Sequence, residues 1–172
     1  NAVRPPMGIE GKEHITVSQK LYYNPNPNLS VLVYGSSFFM NTYDLIQDMT
    51  FSQARDWTAG TKVTYHVKDW FSVTGSLHAD FYDRFKRHER IDKRQKDYES
   101  SIYQPRLTVT SNYFNGHSLI LGMEHTSDEL TSDRFSGNAN HDLKTRALKE
   151  TEYFLQDEWT INPRWMISAG IR

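Results

Sequence analysis

Turn signals at near-regular intervals are the feature that most constrains the fold of this chain. The signals are Asn24-Pro25-Asn26-Pro27-Asn28, Lys68-Asp69, Asn115-Gly116 and Asn162-Pro163. They recur roughly every 45 residues, a spacing that indicates a structural repeat. Alternating apolar and polar residues flank each signal, as expected of strands, whose side chains point to opposite faces with a period of two. The pattern predicts an all-β fold, an antiparallel up-and-down meander of about eight strands.

The alternation also predicts where strands and connections lie. Predicted strands cover about residues 14–23, 29–39, 57–67, 70–82, 106–114, 117–125 and 150–160, and an eighth begins near Trp165. Short turns near 24–28, 68–69, 115–116 and 161–164 close four hairpins, whereas long connections at about 41–55, 83–104 and 128–149 separate them. We assign residues 1–11 to a tag remnant and leading loop and residues 12–172 to the sheet. Both chain ends resemble cut ends, so we expect a segment of a larger protein.

Short turns at one end of a sheet and long loops at the other are typical of bacterial transmembrane β-barrels. The mean hydropathy of −0.70 does not contradict this interpretation, because only every second residue of a barrel strand contacts lipid. The sequence contains no run of about 18 apolar residues, so no transmembrane helix is predicted. Aromatic residues gather beside the short turns, as in an interfacial belt. They are Tyr22, Tyr23, Trp70, Phe71, Tyr113, Phe114, Trp159 and Trp165. We therefore expect part of a transmembrane β-barrel.

Composition narrows the classes of function. Lys and Arg number 20 and Asp and Glu number 21, and this balance argues against a nucleic-acid partner. The chain has no cysteine, so a disulfide framework and a cysteine metal site are both excluded. No GxSxG, P-loop or dinucleotide fingerprint is present, and the seven histidines are scattered. We expect no enzyme, no cofactor and no metal site.

The closing segment has a distinctive hairpin pattern. An aromatic-rich strand ends in Gln156-Asp157-Glu158-Trp159, a short turn follows at Asn162-Pro163, and the next strand ends in Gly170-Ile171-Arg172. This segment resembles a hairpin of TonB-dependent outer-membrane receptors. The segment 117–125, in which an apolar run meets Gly122 and Glu124, resembles another strand of the family. About a third of the chain carries this resemblance. The rest of the chain matches the family only in the spacing of its hairpins.

The resemblance implies a 22-stranded barrel filled by a plug domain, in the bacterial outer membrane. Such receptors import a scarce nutrient such as a ferric siderophore, haem or cobalamin, using energy passed on by TonB. The implied partners are membrane lipid, the plug domain of the same receptor, the small-molecule ligand and, indirectly, TonB. This chain would supply about eight strands of the barrel. Because a segment leaves two strand edges unpaired, we also expect it to self-associate.

The long connections hold the candidate ligand contacts. Residues 83–104 mix cations, acids and aromatic residues, which suits capture of an anionic ligand with flat groups. The candidates here are Tyr82, Phe85, Arg87, His88, Arg90, Tyr98 and Tyr103, and in the third connection Arg134, Phe135 and His141. A solvated loop of mixed charge is the simpler explanation of the same residues.

Two other functions are compatible with the sequence. Eight strands suffice to close a small, self-contained outer-membrane barrel with a structural or adhesive role. An outer-membrane hydrolase is a weaker alternative, in which His78 and Asp80, on one strand face, act as base and acid. Strand spacing alone does not build a catalytic site, so we expect these two residues to be polar wall positions.

Overall fold

A computed structural model of the chain describes residues 10–44, 50–88, 93–132, 135 and 143–172. These residues form eight strands and no α-helix. The strands are β1 (Glu10–Asn26), β2 (Leu29–Asp44), β3 (Thr50–Lys68), β4 (Phe71–His88), β5 (Lys93–Ser111), β6 (His117–Ser132), β7 (Lys144–Asn162) and β8 (Trp165–Ile171). The predicted all-β, antiparallel meander of eight strands is confirmed. In the same residues, no helix combines the length and apolar character that crossing a membrane requires.

All eight strands form one sheet in sequence order. Each strand pairs antiparallel with the next, from β1 to β8. β1 and β8 are the edges of this sheet, and the order does not close into a ring. The described residues therefore form an open wall and not a closed eight-stranded barrel.

The four short connections lie at one end of the sheet, here called the turn end. In the first, the amide of Asn28 donates to Oδ1 of Asn26 at 3.0 Å. In the fourth, the amide of Arg164 donates to Oδ1 of Asn162 at 2.9 Å. Both are side-chain-stabilised turns of the kind that Asn favours. Gly116 has φ of +78°, which glycine adopts without steric cost. The other three connections leave the opposite end, here called the loop end.

The strands run further toward the loop end than alternation of apolar residues predicts. Much of the expected long connections at 41–55, 83–104 and 128–149 is strand, and β1 already begins at Glu10, inside the expected leading loop. The physical reason is that backbone hydrogen bonds continue the ladder where side chains on both faces are polar. The hydrophobic pattern therefore marks only the part of each strand that has an apolar side.

Cross-strand pairing sorts the side chains into two continuous faces. One face, here called the apolar face, passes through Val33, Leu77, Leu107 and Leu121, whose exposed fractions are 47, 44, 46 and 54%. The opposite, polar face passes through residues such as Lys62, Ser76, Arg106, Glu124 and Glu152. Among the described residues Ala54 is the one buried hydrophobic side chain. Within the described ranges the sheet thus has no second layer, and its apolar side chains are exposed or half-buried.

Aromatic rings bound the apolar face toward both ends. Toward the turn end the boundary includes Tyr23, Tyr65, Phe71 and Trp159, and toward the loop end it includes Phe39, Trp57, Phe81, Tyr103 and Tyr153. In β1 and β3 the apolar stretch spans 15–23 and 57–65, close to the roughly 9–11 residues with which a tilted strand crosses a bilayer. Beyond the loop-end row, the same face carries Arg55, Asp83 and Glu99. A hydrogen bond of 2.8 Å between Nδ1 of His117 and Oδ2 of Asp157 interrupts the apolar stretch near the turn end.

The strands are inclined to these aromatic rows. One row of paired residues starts with Tyr23 at the turn-end boundary and reaches Tyr153 at the loop-end boundary six strands later. A climb of about eight residues over six strand spacings corresponds to a tilt of roughly 40°. Transmembrane barrel strands are tilted by about 35–45°, so the stagger agrees with a section of such a barrel.

Candidate functional site

A depression of about 490 Å³ lies on the polar face near the loop end. Its lining comes from three adjacent strands: Asp56 of β3, Asp80, Tyr82 and Arg84 of β4, and Tyr98 and Ser100 of β5. Every second residue of β4 contributes, because side chains alternate between faces. The depression is therefore a product of strand pairing, and its residues are distant in the sequence.

A β-bulge in β5 fixes the charge at the rim of this depression. Arg84 pairs with Tyr98 and Phe85 with Lys96, so Asp97 is the extra residue. Such bulges re-aim side chains, and here the carboxylate of Asp97 lies on the polar face, 3% exposed. Burial favours the neutral acid, but the bonds from Arg84 and Lys86 outweigh this effect and hold the pKa of Asp97 below its ordinary value.

The contacts of Asp97 are those of a strong ion pair. Nε and Nη2 of Arg84 donate to its carboxylate at 3.2 and 2.8 Å, and Nζ of Lys86 lies 3.2 Å from Oδ2. A guanidinium fork on a carboxylate is the geometry with the greatest directional strength. The hydroxyl of Ser132 donates to the backbone oxygen of Asp97 at 3.3 Å. Arg84 is therefore neutralised within the wall.

Two tyrosines form the aromatic side of the depression. The rings of Tyr82 and Tyr98 meet edge to face, with centroids 5.5 Å apart, and the guanidinium of Arg84 lies 5.5 Å from the Tyr98 centroid. Opposite them, the hydroxyl of Thr58 donates to Asp80 at 2.7 Å. The two carboxylates of Asp56 and Asp80 outweigh the one positive charge that remains on Arg84, Lys86 and Asp97 together, which suits a cationic or hydroxyl-rich ligand better than an anion.

The structure separates the residues that the sequence grouped as ligand contacts. It brings Tyr82 and Tyr98 together on the polar face, but Phe85 and Tyr103 lie on the opposite face. Tyr103 packs edge to face on Phe81, with centroids 5.3 Å apart. The guanidinium of Arg146 lies 4.9 Å from the centroid of Phe135. Phe85 and Tyr103 thus face away from the depression.

The remaining candidates have no described side chains. Arg87 and His88 belong to β4 by their backbone. Arg90, Arg134 and His141 lie outside the described residues. Within the described ranges, no three His, Cys, Asp or Glu side chains are grouped so that they could hold a metal ion.

His78 and Asp80 have separate partners. Nδ1 of His78 and the hydroxyl of Tyr34 share a hydrogen bond of 2.9 Å, and Asp80 accepts from Thr58. Tyr34 reaches His78 across the intervening strand because that strand has Gly60 at the crossing point. No contact between His78 and Asp80 links them as base and acid, so the geometry does not favour the hydrolase alternative.

A second polar feature crosses the wall nearer its middle. Arg106, Glu124 and Glu152 are paired across β5, β6 and β7, and Arg172 forms ion pairs with both glutamates. The guanidinium of Arg106 also lies 4.6 Å from the centroid of Phe154. Sequence patterns missed this row and the Asp97 bulge, because both depend on which residues pair between strands.

Comparisons with known proteins agree with the fold. No family model matches the chain, and no curated protein matches it. A solved structure named copper transporter OprC is similar, with a TM-score of 0.65 and 15% identity. The match covers 92% of this chain and 29% of that transporter, so the chain spans less than a third of its length. At this identity the likeness shows the fold alone: an antiparallel meander like a section of a transporter.

Proposed function

We propose that this chain is a section of the wall of an outer-membrane transport barrel, with its apolar face toward lipid and its polar face toward the lumen. The observation that carries the proposal is the apolar stretch of the sheet, about as tall as a bilayer core, bounded by aromatic rows and exposed on one side. A soluble protein rarely exposes a continuous apolar surface of this extent. Lipid removes that surface from water without a second protein layer.

The finer proposal is a TonB-dependent receptor in the bacterial outer membrane. The hairpin at 152–172 that resembles this family supports it, as do short turns at one end and a strand tilt in the barrel range. In such a receptor the turn end faces the periplasm, and the loop end faces outside. A plug domain would occupy the lumen, TonB would act through it, and this chain itself would catalyse no reaction.

The depression at Asp56, Asp80, Tyr82 and Tyr98 is the proposed ligand contact of this wall. In the proposed orientation, a site near the loop end on the lumen side would lie on the path of an incoming solute. Because Arg84 is neutralised by Asp97, the lining favours a ligand that carries positive charge or many hydroxyl groups over the anionic ligand expected from the sequence. A scarce nutrient such as a metal chelate or cobalamin remains the proposed class, and copper is a substrate to test because the structural neighbour is named a copper transporter.

Site-specific fluorescence tests the orientation of the wall. This chain has no cysteine, so Leu77→Cys and Ser76→Cys, with any cysteine outside residues 1–172 replaced by Ser, each introduce one attachment point for an environment-sensitive dye. In the intact protein reconstituted into vesicles, we expect the dye at residue 77 to be quenched by nitroxide lipids and the dye at residue 76 by aqueous iodide. Because the two positions are adjacent on one strand, each is a control for the membrane insertion and the labelling efficiency of the other.

A third position tests the height of the lipid contact. Glu99 lies on the apolar side of the sheet but beyond the loop-end aromatic row, so a dye on Glu99→Cys should be quenched by iodide. Equal aqueous quenching at 76 and 77 would contradict the membrane proposal. Equal lipid quenching at 77 and 99 would contradict the proposed boundary.

A further inference from the structure

Arg55 occupies a distinctive place on the apolar side of the sheet. It lies in β3 two residues from Trp57 on the same face, just past the loop-end aromatic row. The residues before the row on this strand, from 57 to 65, form the proposed lipid contact. Arg55 is therefore the first charged residue of β3 that emerges from the lipid layer, at the height of the headgroups.

Two phenylalanine rings fix the guanidinium of Arg55. The Cζ atom lies 5.7 Å from the centroid of Phe39 on β2 and 5.7 Å from the centroid of Phe85 on β4. Arginine favours such stacking because its guanidinium is planar and weakly hydrated. A side chain held between two rings loses less freedom when it binds an anion, so the site is preorganised.

The acid that would pair with Arg55 is engaged elsewhere. Asp83 is its direct cross-strand partner, but Oδ1 of Asp83 lies 2.7 Å from Nζ of Lys96. The same ammonium group lies 2.8 Å from Glu99, so Lys96 holds both nearby acids. Within the part of the chain that the structure describes, Arg55 makes the two ring contacts and no ion pair or hydrogen bond. Its N–H donors are thus available to an external acceptor.

We propose that Arg55, clamped between Phe39 and Phe85, binds the phosphate group of an anionic membrane lipid at the loop-end boundary of the wall. This inference rests on the proposed membrane function. The occupant follows from position and charge: the site faces outward, adjoins the lipid-contacting stretch, and offers a guanidinium fork that matches phosphate oxygens. A solute in the lumen is on the other side of the sheet and does not reach it.

Trp57 supplies the measurement. Trp57 is 51% exposed and lies two residues from Arg55. The other three tryptophans of this chain, Trp70, Trp159 and Trp165, lie at the turn end. Replacing them by Phe, together with any tryptophan that the intact protein holds outside residues 1–172, leaves one reporter. The protein is reconstituted into phosphatidylcholine vesicles in which a fraction of the lipid is brominated phosphatidic acid or, in parallel, brominated phosphatidylcholine. The ratio of the two quenching curves gives the preference of the site for phosphatidic acid.

We expect a preference of about fivefold, the effect of roughly one basic residue at an anionic surface. Arg55→Gln should abolish it, and Arg55→Lys should retain only part of it, since an ammonium lacks the fork. The matched control is Arg106→Gln, which removes a guanidinium that also stacks on a phenylalanine but lies on the polar face. That variant should keep the full preference.

The outcomes separate the two proposals. If Arg55→Gln keeps the wild-type preference, or if the wild type has none, the lipid site is wrong. In either case the dye at Leu77→Cys still reports whether that face contacts lipid. If Leu77 is in water, the membrane proposal itself fails, and the lipid site fails with it.

Discussion

Two glycines on the polar face act as crossing points for aromatic side chains. Tyr34 passes over Gly60 to meet His78, and Phe154 passes over Gly122 to lie under Arg106. A methyl group at either glycine would overlap the ring. Rings that lie flat on the sheet contact three strands instead of projecting away from its surface, a known way of covering glycine in sheets. Gly60 and Gly122 therefore determine whether these aromatic rings can lie flat on the polar face.

Gly60→Ala tests this role of glycine. The new methyl group displaces the Tyr34 ring and breaks its hydrogen bond with His78, so we expect a loss of about 1–3 kcal/mol in unfolding free energy. Gly75→Ala is the control, because nothing lies within 4 Å of its added carbon, and it should be neutral or slightly stabilising. Urea titration in lipid vesicles measures both. In a Tyr34→Ala background the cost of Gly60→Ala should disappear, and a persisting cost would refute overlap with the ring as its cause.

At the scale of the element, the β4–β5 hairpin combines a bulge with a change of surface. Toward the turn end of the bulge, β5 continues the apolar face through Tyr103 and Leu107. Toward the loop end, Lys96 pairs with Asp83 and Glu99 on that same side of the sheet, while Asp97 is buried on the polar face. The extra residue thus places Asp97 beside the depression on the polar face. It leaves Lys96 on the opposite face, where it pairs with Asp83, the cross-strand partner of Arg55.

Asp97→Asn tests the charge of the bulge. Loss of the carboxylate leaves Arg84 and Lys86 without their anion, so we expect a cost of about 2–4 kcal/mol at neutral pH. Because the folded pKa of Asp97 is lowered, its stabilisation is present above its ordinary pKa of 3.8 and is lost as pH falls through the lower folded value. The difference in urea midpoint between wild type and variant should therefore shrink below about pH 4. Asp69→Asn, in an exposed turn, is the control, and a difference independent of pH would contradict the mechanism.

The sequence predicted those parts of each element that local chemistry determines. Alternation and turn signals gave the meander, its strand order and turns such as that at Gly116. Strand ends toward the loop end were not predictable, because pairing beyond Phe81 continues through polar residues that lack alternation. The free guanidinium of Arg55 was not predictable either, because it depends on the ion pair between Asp83 in β4 and Lys96 in β5. The residue pattern along one strand does not reveal contacts that depend on the register between strands.

At the scale of the whole molecule, few of the described residues of the sheet are buried. Ala54, Asp97, Gly122 and Ser132 are its buried residues among those described. The outer edges of β1 and β8 are unpaired in the strand order. Unpaired edges pair readily with another chain. In the proposed barrel, stability of the wall would therefore depend on lipid at the apolar face, neighbouring strands at both edges and the contents of the lumen at the polar face.

We predict that the isolated chain self-associates through its edges in detergent micelles. Single cysteines at Gln19 in β1 and Ser168 in β8 should form intermolecular disulfides under mild oxidation, since edge strands of two copies can pair. Leu121→Cys, in the interior strand β6, is the control and should not cross-link efficiently. Gel electrophoresis without reductant measures the dimer. A monomer at all concentrations, or equal cross-linking at all three positions, would contradict edge pairing.

Strand pairing strictly in sequence order has a consequence for how such a wall is made. In the described residues, each strand finds its partner in the segment that follows it, so the chain can assemble one hairpin at a time, with every finished hairpin templating the next. Low sequence separation between partners favours rapid folding. The one slow event is the meeting of the first and last strands of the complete wall. At a tilt of roughly 40°, each added hairpin lengthens the circumference by about 12–13 Å. The number of hairpins therefore determines the pore diameter, and duplication of a hairpin would widen a pore without changing the chemistry of its lining.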